Sequence, residues 1–221
     1  MNHTMLRVLA VPALAALAAC AGSSAPSAAP VPNDGPRIVQ PGAPGVAGRT
    51  YSVGQLDEVE GVAYTQADVH FLQSMIPHHA QALEMTALVR QHATTDAVRQ
   101  MALRMEISQR DEIALMETWL RDHGEPVRMG GMDGMHATHL MPGMLTPEQL
   151  SELAEARGVD FDRLFLEYMI QHHQGAVDMV YELFRTSGAG QESTVFKFAE
   201  EVDADQTMEI ERMQRILESL R

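Results

Sequence analysis

Residues 71–79 read Phe71-Leu72-Gln73-Ser74-Met75-Ile76-Pro77-His78-His79, and 94 residues later the pattern returns as Phe165-Leu166-Glu167-Tyr168-Met169-Ile170-Gln171-His172-His173. The similarity continues through Ala82 and Ala176, and through Glu84-Met85 and Asp178-Met179. A weaker similarity, offset by 97 residues, pairs Gln109, Glu112-Ile113 and Met116 with Gln206, Glu209-Ile210 and Met213. The chain therefore contains two related halves, each with two long elements.

The first repeat has the period of an amphipathic helix. One stripe recurs at i, i+4, i+7, i+11, i+14 and i+18, and its members are Phe71, Met75, His78, Ala82, Met85 and Val89. The opposite face carries Gln73, Pro77, Gln81 and Glu84. Pro77 has no amide hydrogen, so we expect a kink or an open hydrogen bond in this helix, whereas Gln171 carries no such constraint in the second half.

Capping and breaking residues divide the remainder into helices. Thr65 with Asp68 begins the first helix, and the second ends at Gly124. Thr146-Pro147 begins a short helix that ends near Gly158, Asp160 is the expected cap of the third long helix, and Ser193 opens the last. Long alternating or β-branched runs are lacking in the sequence. The prediction is an all-α, antiparallel four-helix bundle made of two repeated helical hairpins.

The N-terminus has the features of a bacterial export signal. Arg7 precedes an apolar run, Val8 to Ala19, which is too short to span a bilayer stably. It ends in Leu17-Ala18-Ala19-Cys20, which resembles a lipobox, and Cys20 is the only cysteine. Residues rich in Ala, Pro, Ser and Gly follow, which is typical of a flexible tether. We therefore predict an exported protein of the periplasm or cell surface, anchored to a membrane by lipid on Cys20.

These features give a division of the chain into five segments. They are a lipoprotein signal peptide (1–19), a lipidated flexible linker (20–50), a first helical hairpin (51–121), a Met- and His-rich crossover loop (122–146), and a short helix with the second hairpin (147–221). The formal net charge of −14 argues against nucleic acid as a partner. An acidic surface raises the local concentration of cations but does not identify one.

The duplicated histidine pairs are the strongest candidates for metal ligands. His78 lies in the apolar stripe between Met75 and Met85, and His172 lies between Met169 and Met179; His79 and His173 lie about 100° further round their helices. Buried imidazoles are unfavourable unless each ring nitrogen has a partner. Gln109, Glu112, Gln206 and Glu209 could supply protein partners, and the four histidines would then be a structural polar network. A metal ion is the alternative partner.

The crossover is unusually rich in possible sulfur ligands. The chain has 16 methionines, and helical Met is usually core packing. In the glycine-rich crossover, however, no helical pattern explains Met129, Met132, Met135, His136, His139, Met141 and Met144. Thioether sulfur prefers Cu(I), and imidazole serves Cu(I), Cu(II) and Zn(II), so this mixture without thiols indicates copper, Cu(I) or Cu(II), over zinc. Another transition metal is the alternative. An incidental linker or a sacrificial scavenger of oxidants remains an alternative for the loop.

At the His-His pairs with Met85 and Met179, residues 60–221 resemble the domain of unknown function 305 family. The resemblance implies a ferritin-like bundle, and a link of some members to periplasmic copper binding. It implies metal binding at the two His-His pairs and their neighbouring methionines. Gln171 departs from the Pro77 pattern, so the resemblance does not establish that the two halves bind equivalently.

The sequence favours a copper-binding protein of the cell envelope that serves sequestration, tolerance or trafficking, without substrate turnover. One alternative is a ferritin-like metal-dependent oxidoreductase. Its di-iron form would require a Glu-x-x-His repeat, and no Glu stands three residues before any histidine in 65–221. The other alternative is a helical envelope adaptor without metal. A partner that delivers or exports copper is not identified by the sequence.

Overall fold

The computed structural model describes residues 37–40, 47–52, 62–128 and 140–220. Five helices lie in this part of the chain: α1 (Gln66–His92), α2 (Asp96–Asp122), α3 (Pro147–Glu155), α4 (Gly158–Arg185) and α5 (Ser193–Ser219). Two short strands precede them, β1 (Arg37–Gln40) and β2 (Arg49–Ser52). The four long helices and the short α3 confirm the predicted all-α fold.

Local chemistry at the helix ends explains where they begin. Thr65 and Thr146 each form a capping box, in which the threonine side chain accepts from the third helical residue and that residue's side chain accepts in return. The predicted cap at Asp160 is wrong, because α4 begins at Gly158 and Arg157 is its N-cap. Asp160 instead lies in the first turn, where a carboxylate interacts favourably with the positive end of the helix dipole.

The helices pair as the repeat predicts. α1 packs on α2, α4 packs on α5, and the two hairpins meet through α1 and α4. α1 is continuous through Pro77. The apolar side chains form two separate half-cores along the bundle. The first half-core surrounds Trp119 and Phe198, and the second surrounds Phe161 and Phe165.

The strands β1 and β2 form an antiparallel pair, with Ile38 opposite Tyr51 and Val39 opposite Thr50. β1 and the first two residues of β2 lie within residues 20–50, and the assignment of that segment as a flexible linker stays a prediction. β-branched residues and tyrosine favour extended pairing, which outweighed the Pro- and Gly-rich composition of the surrounding sequence.

The signal peptide and Cys20 lie outside the described residues. Among the helices that are described, none combines enough length with enough apolar character to cross a bilayer.

Candidate metal centre

A central polar layer separates the two apolar half-cores. In each long helix, the residues of one half-core lie on one side of this layer and the residues of the other half-core lie on the other side. We define the layer by eight side chains: His78 and His79 of α1, Gln109 and Glu112 of α2, His172 and His173 of α4, and Gln206 and Glu209 of α5. The four histidines are all 0% exposed, which confirms the burial expected from their helical positions.

Each hairpin makes the same histidine–carboxylate pair across its two helices. The distance from His79 Nε2 to Glu112 Oε2 is 2.5 Å, and from His173 Nε2 to Glu209 Oε2 it is 2.7 Å. The sequence predicted that these carboxylates could partner the rings, and the structure confirms it. The two amides of the layer, Gln109 and Gln206, are buried but make no hydrogen bond to a ring.

The other two histidines meet at the interface between the hairpins. The ring centroids of His78 and His172 are 3.9 Å apart, with an angle of 40° between the ring planes. His78 Nε2 lies 3.0 Å from the carbonyl oxygen of Pro142, in the segment by which the crossover returns to the bundle. The two halves therefore differ here, since neither ring nitrogen of His172 has a hydrogen-bond partner within the described residues.

The tautomers follow from these partners. A carbonyl oxygen can only accept a hydrogen bond, and an ionised carboxylate has no proton to donate. The Nε2 atoms of His78, His79 and His173 must therefore be the donors. In the neutral ring, each Nδ1 then carries a free lone pair, and these three Nδ1 atoms are buried without a partner in the described part of the chain. Lone pairs of this kind are available to a metal ion.

Burial keeps two of these rings neutral. Desolvation, with a smaller contribution from the neighbouring His79, lowers the pKa of His78 to about 3, although the Pro142 carbonyl acts in the opposite direction. Desolvation and the nearby His78 also hold the pKa of His172 well below its usual value. Burial alone would raise the pKa of Glu112, but its hydrogen bond and charge interaction with His79 lower it overall. His78 and His172 thus need no deprotonation before they bind a metal.

The predicted methionine ligands divide into two groups. Met75, Met85 and Met169 are 0% exposed; Met75 packs within the first half-core, and the other two pack within the second. Met179 is only partly buried and lines a pocket at the surface. Three thioethers therefore lie with the histidines in the interior, and the fourth does not.

The available donor types limit what the layer can hold. No group of three or more His, Cys, Asp or Glu side chains in the described residues is arranged to hold a metal ion. The histidines and carboxylates of the layer would therefore not complete a metal site by themselves, and a metal held here would need further donors such as thioether sulfur. Imidazole and thioether suit copper, so the residues present fit this ion.

The crossover can be followed only where it returns to the bundle. Met129, Met132, Met135, His136 and His139 lie outside the described residues, whereas Met141 and Met144 are described and partly buried. A turn links Met141 and Met144, because the amide of Met144 donates to the carbonyl of Met141 at 3.1 Å. The structure thus brings two of the seven predicted loop ligands close to the helices.

Equivalent positions of the two repeats hold this returning segment in different ways. Gln81 of α1 bonds the backbone of Leu145 twice, donating to its carbonyl at 3.0 Å and accepting from its amide at 2.7 Å. Gly175, at the repeat offset of 94 residues from Gln81, instead leaves room for the chain. A Cβ atom built there would lie 2.0 Å from the Pro142 carbonyl oxygen. The crossover is therefore held by the side-chain amide of Gln81 in the first half, whereas in the second half it packs directly on the helix backbone at Gly175.

Some of these residues were not identified from the sequence. Gln73 and Gln81 were placed on the face opposite the apolar stripe, but both are buried. Gln81 bonds the returning segment at Leu145, and Gln73 donates to the carbonyl of Pro126, just after α2, at 2.6 Å. Gly175 could have been identified, because a glycine inside a strongly periodic helix often marks a close backbone approach. Pro142 could not, because it acts through its backbone carbonyl, which every residue has.

Comparisons with known proteins are consistent with this architecture. Residues 68–217 match the family described as Domain of unknown function (DUF305). A DUF305 fragment from Deinococcus radiodurans is 31% identical, with a TM-score of 0.62, and the match covers 71% of this chain and 98% of that chain. CopM in the Cu(II)-bound form is 28% identical, with a TM-score of 0.56 and coverage of 70% and 97%. CopM in the Cu(I)-bound form is 27% identical, with a TM-score of 0.56, and the match covers 69% of this chain and 96% of that chain. Curated proteins gave no match.

Proposed function

This chain belongs to the DUF305 family, and we propose that it binds copper at the central polar layer, in order to sequester the ion or pass it on in the cell envelope. The observation that carries the proposal is the state of the four buried histidines. Five of their eight ring nitrogens have no hydrogen-bond partner among the described residues. Leaving buried polar atoms unpaired costs about 1–3 kcal/mol each, and ligation of a metal would remove that penalty.

The arrangement of the carboxylates supports the same reading. A histidine that ligates a metal usually donates its other ring N–H to a carboxylate or carbonyl, which fixes the tautomer and the ring orientation. Glu112 and Glu209 accept from His79 and His173, and Pro142 accepts from His78. Copper bound here would be coordinated by Nδ1 atoms, with Met75, Met85 and Met169 as the neighbouring sulfur donors. A purely structural polar network explains the carboxylate bonds but leaves the Nδ1 atoms unpaired.

The choice of copper rests on the donor set and on the relatives. The layer offers imidazole and thioether, a combination that suits both copper oxidation states. CopM, which shares this fold, has been solved in Cu(I)- and Cu(II)-bound forms. Binding without turnover is favoured over a di-iron oxidoreductase, because both carboxylates of the layer are paired with histidines and do not stand as a pair that bridges two metal ions.

Copper competition at two pH values tests the proposal. The purified chain should bind Cu(I) under anaerobic conditions against a chromophoric chelator, and the part of the affinity that His78 contributes should change little between pH 7 and pH 5. Because the pKa of His78 is about 3, protons do not compete for that ring in this window. Each imidazole of ordinary pKa, near 6.5, would weaken binding about 30-fold at pH 5. Absence of any Cu(I) retention at either pH would contradict copper binding.

We also propose that the protein is exported and held at a membrane by lipid on Cys20. The support is the lipobox-like Leu17-Ala18-Ala19-Cys20, which follows a short apolar run. The Cys20→Ala variant should move from the membrane fraction to the soluble fraction of fractionated cells. It should also migrate more slowly than the parent in gel electrophoresis, because its signal peptide is not removed. If it keeps the parent's mobility and stays with the membranes, the lipid anchor is wrong.

A further inference from the structure

A surface pocket of about 270 Å³ lies where α1, α4 and the returning crossover meet. Its polar and sulfur-bearing lining comes from His70, Ser74, Met141, Asp178, Met179 and Glu182. We propose that this pocket is a second metal site, which takes a soft monovalent cation, Cu(I) or Ag(I), through the imidazole of His70 and the thioethers of Met141 and Met179. The identity of the metal rests on the proposed function, but occupancy of the pocket does not require the central layer.

The ligands come from three separate elements, and each reaches the pocket for its own reason. His70 is exposed near the start of α1, one residue before the buried stripe begins at Phe71. Met179 lies on α4 at the edge of the first half-core, where it is only partly buried. Met141 belongs to the crossover and is held by its turn with Met144. A methionine outside any helix has no helical packing role, so its convergence with Met179 and an imidazole needs another explanation.

The chemistry of the remaining lining favours a cation. Asp178 and Glu182 place two carboxylates on the wall formed by α4, and the described residues include no salt bridge to either one. Asp178 accepts one hydrogen bond, from Gln174 at 3.1 Å. Negative charge beside soft donors attracts the ion, while imidazole and thioether set the preference for copper or silver over calcium or magnesium.

The pocket adjoins the central layer through one residue. Pro142 lines the pocket, and its carbonyl oxygen accepts the hydrogen bond from His78 Nε2. An ion held in the pocket is therefore separated from the buried imidazoles by the backbone of the returning crossover.

Titration with Ag(I), followed by the NMR signals of the methionine methyl groups, tests the proposal in the full chain. Addition of Ag(I) should shift the methyl signals of Met141 and Met179, while that of Met208, which is 57% exposed on α5, should not move. His70→Ala should weaken the binding that causes these shifts by about 10- to 100-fold. The double variant Met141→Leu with Met179→Leu should lose one bound ion, and the control Met208→Leu should lose none.

Failure of the pocket and failure of the central layer give different results. If the Met141 and Met179 signals do not shift, or if the double variant binds as many ions as the parent, the pocket is not a metal site. In a variant with His78, His79, His172 and His173 replaced by Gln, the two shifts should persist. Their loss in that variant, with the fold retained, would also overturn an independent pocket. If the parent protein shows both shifts but binds no copper in its interior, the pocket is supported and the central site is rejected.

Discussion

Replacement of His78, His79, His172 and His173 by Gln should remove most of the copper-dependent rise in the melting temperature of this protein. A ligand that binds only the folded state stabilises it by about 2.7 kcal/mol at a free concentration 100 times its Kd. For a domain of this size, that corresponds to a rise of roughly 5–10 °C. Glutamine is the substituent of choice, because its amide can still donate to the carboxylates and the carbonyl that now accept from the rings.

The crossover provides the matched comparison for this measurement. Replacing Met129, Met132, Met135, Met141 and Met144 by Leu should lower the number of copper ions bound but leave most of the rise in melting temperature. Ligands in a loop must be ordered on binding, and that loss of conformational entropy reduces the net affinity of each contact. The central ligands are already held by packed helices. Thermal unfolding with and without copper, together with metal analysis, separates the two sets.

The opposite pattern would reverse the assignment. If the loop variant loses the rise and the four-histidine variant keeps it, the buried histidines are structural and the crossover is the functional site. Melting of both variants without copper serves as the control for folding, since removal of buried polar groups changes stability by itself.

Local features of this fold could be predicted because the sequence repeats them. Two copies of a helical stripe, each with one histidine in it and a second beside it, predicted both the number of long helices and the burial of His78 and His172. Thr65 and Thr146 could be recognised as caps because a capping box depends on residues three positions apart. The pairing of Glu112 with His79 could also be predicted, since the two residues lie on helix faces that meet within one hairpin.

Contacts between the hairpins could not be predicted in the same way. The close contact of the His78 and His172 rings depends on how two helices whose sequences lie 94 residues apart are shifted along each other, and no local pattern reports that shift. The partial exposure of Met179 has the same origin, because its repeat equivalent Met85 is fully buried. Hydrophobic period places a residue on a face but does not say which neighbour covers it.

The crossover is what makes two similar halves unequal. Its returning segment contacts His78 through the Pro142 carbonyl, and Gln171 through the Gly143 carbonyl at 3.3 Å. Pro77, the equivalent of Gln171, has no side-chain donor for such a contact. A single segment that crosses two similar halves cannot make the same contact with both. The Pro142 carbonyl therefore accepts from His78, while His172 has no partner within the described residues. An asymmetric pair of this kind suits a site in which one ligand releases an ion more readily than the other.

Gly175→Ala should destabilise the protein by about 2–4 kcal/mol, which corresponds to roughly 5–15 °C in melting temperature. In an ordinary helix interior the same change stabilises by about 1 kcal/mol, because alanine is the better helix former. Here the added Cβ would lie 2.0 Å from the Pro142 carbonyl oxygen and 2.6 Å from the Gly143 Cα. Both are backbone atoms, so the returning crossover must move, and the contacts of Gln81 with Leu145 are weakened with it.

The control for this change is Gly124→Ala. Gly124 has a φ of +70°, and no atom lies within 4 Å of a Cβ built there. Its replacement should therefore cost only the left-handed backbone penalty, about 1–2 kcal/mol. Chemical denaturation of both variants gives the two free energies of unfolding. The sign of the Gly175→Ala effect is decisive, because a gain in stability would mean that the crossover does not rest on α4, and the carbonyl would then not be available to hold His78.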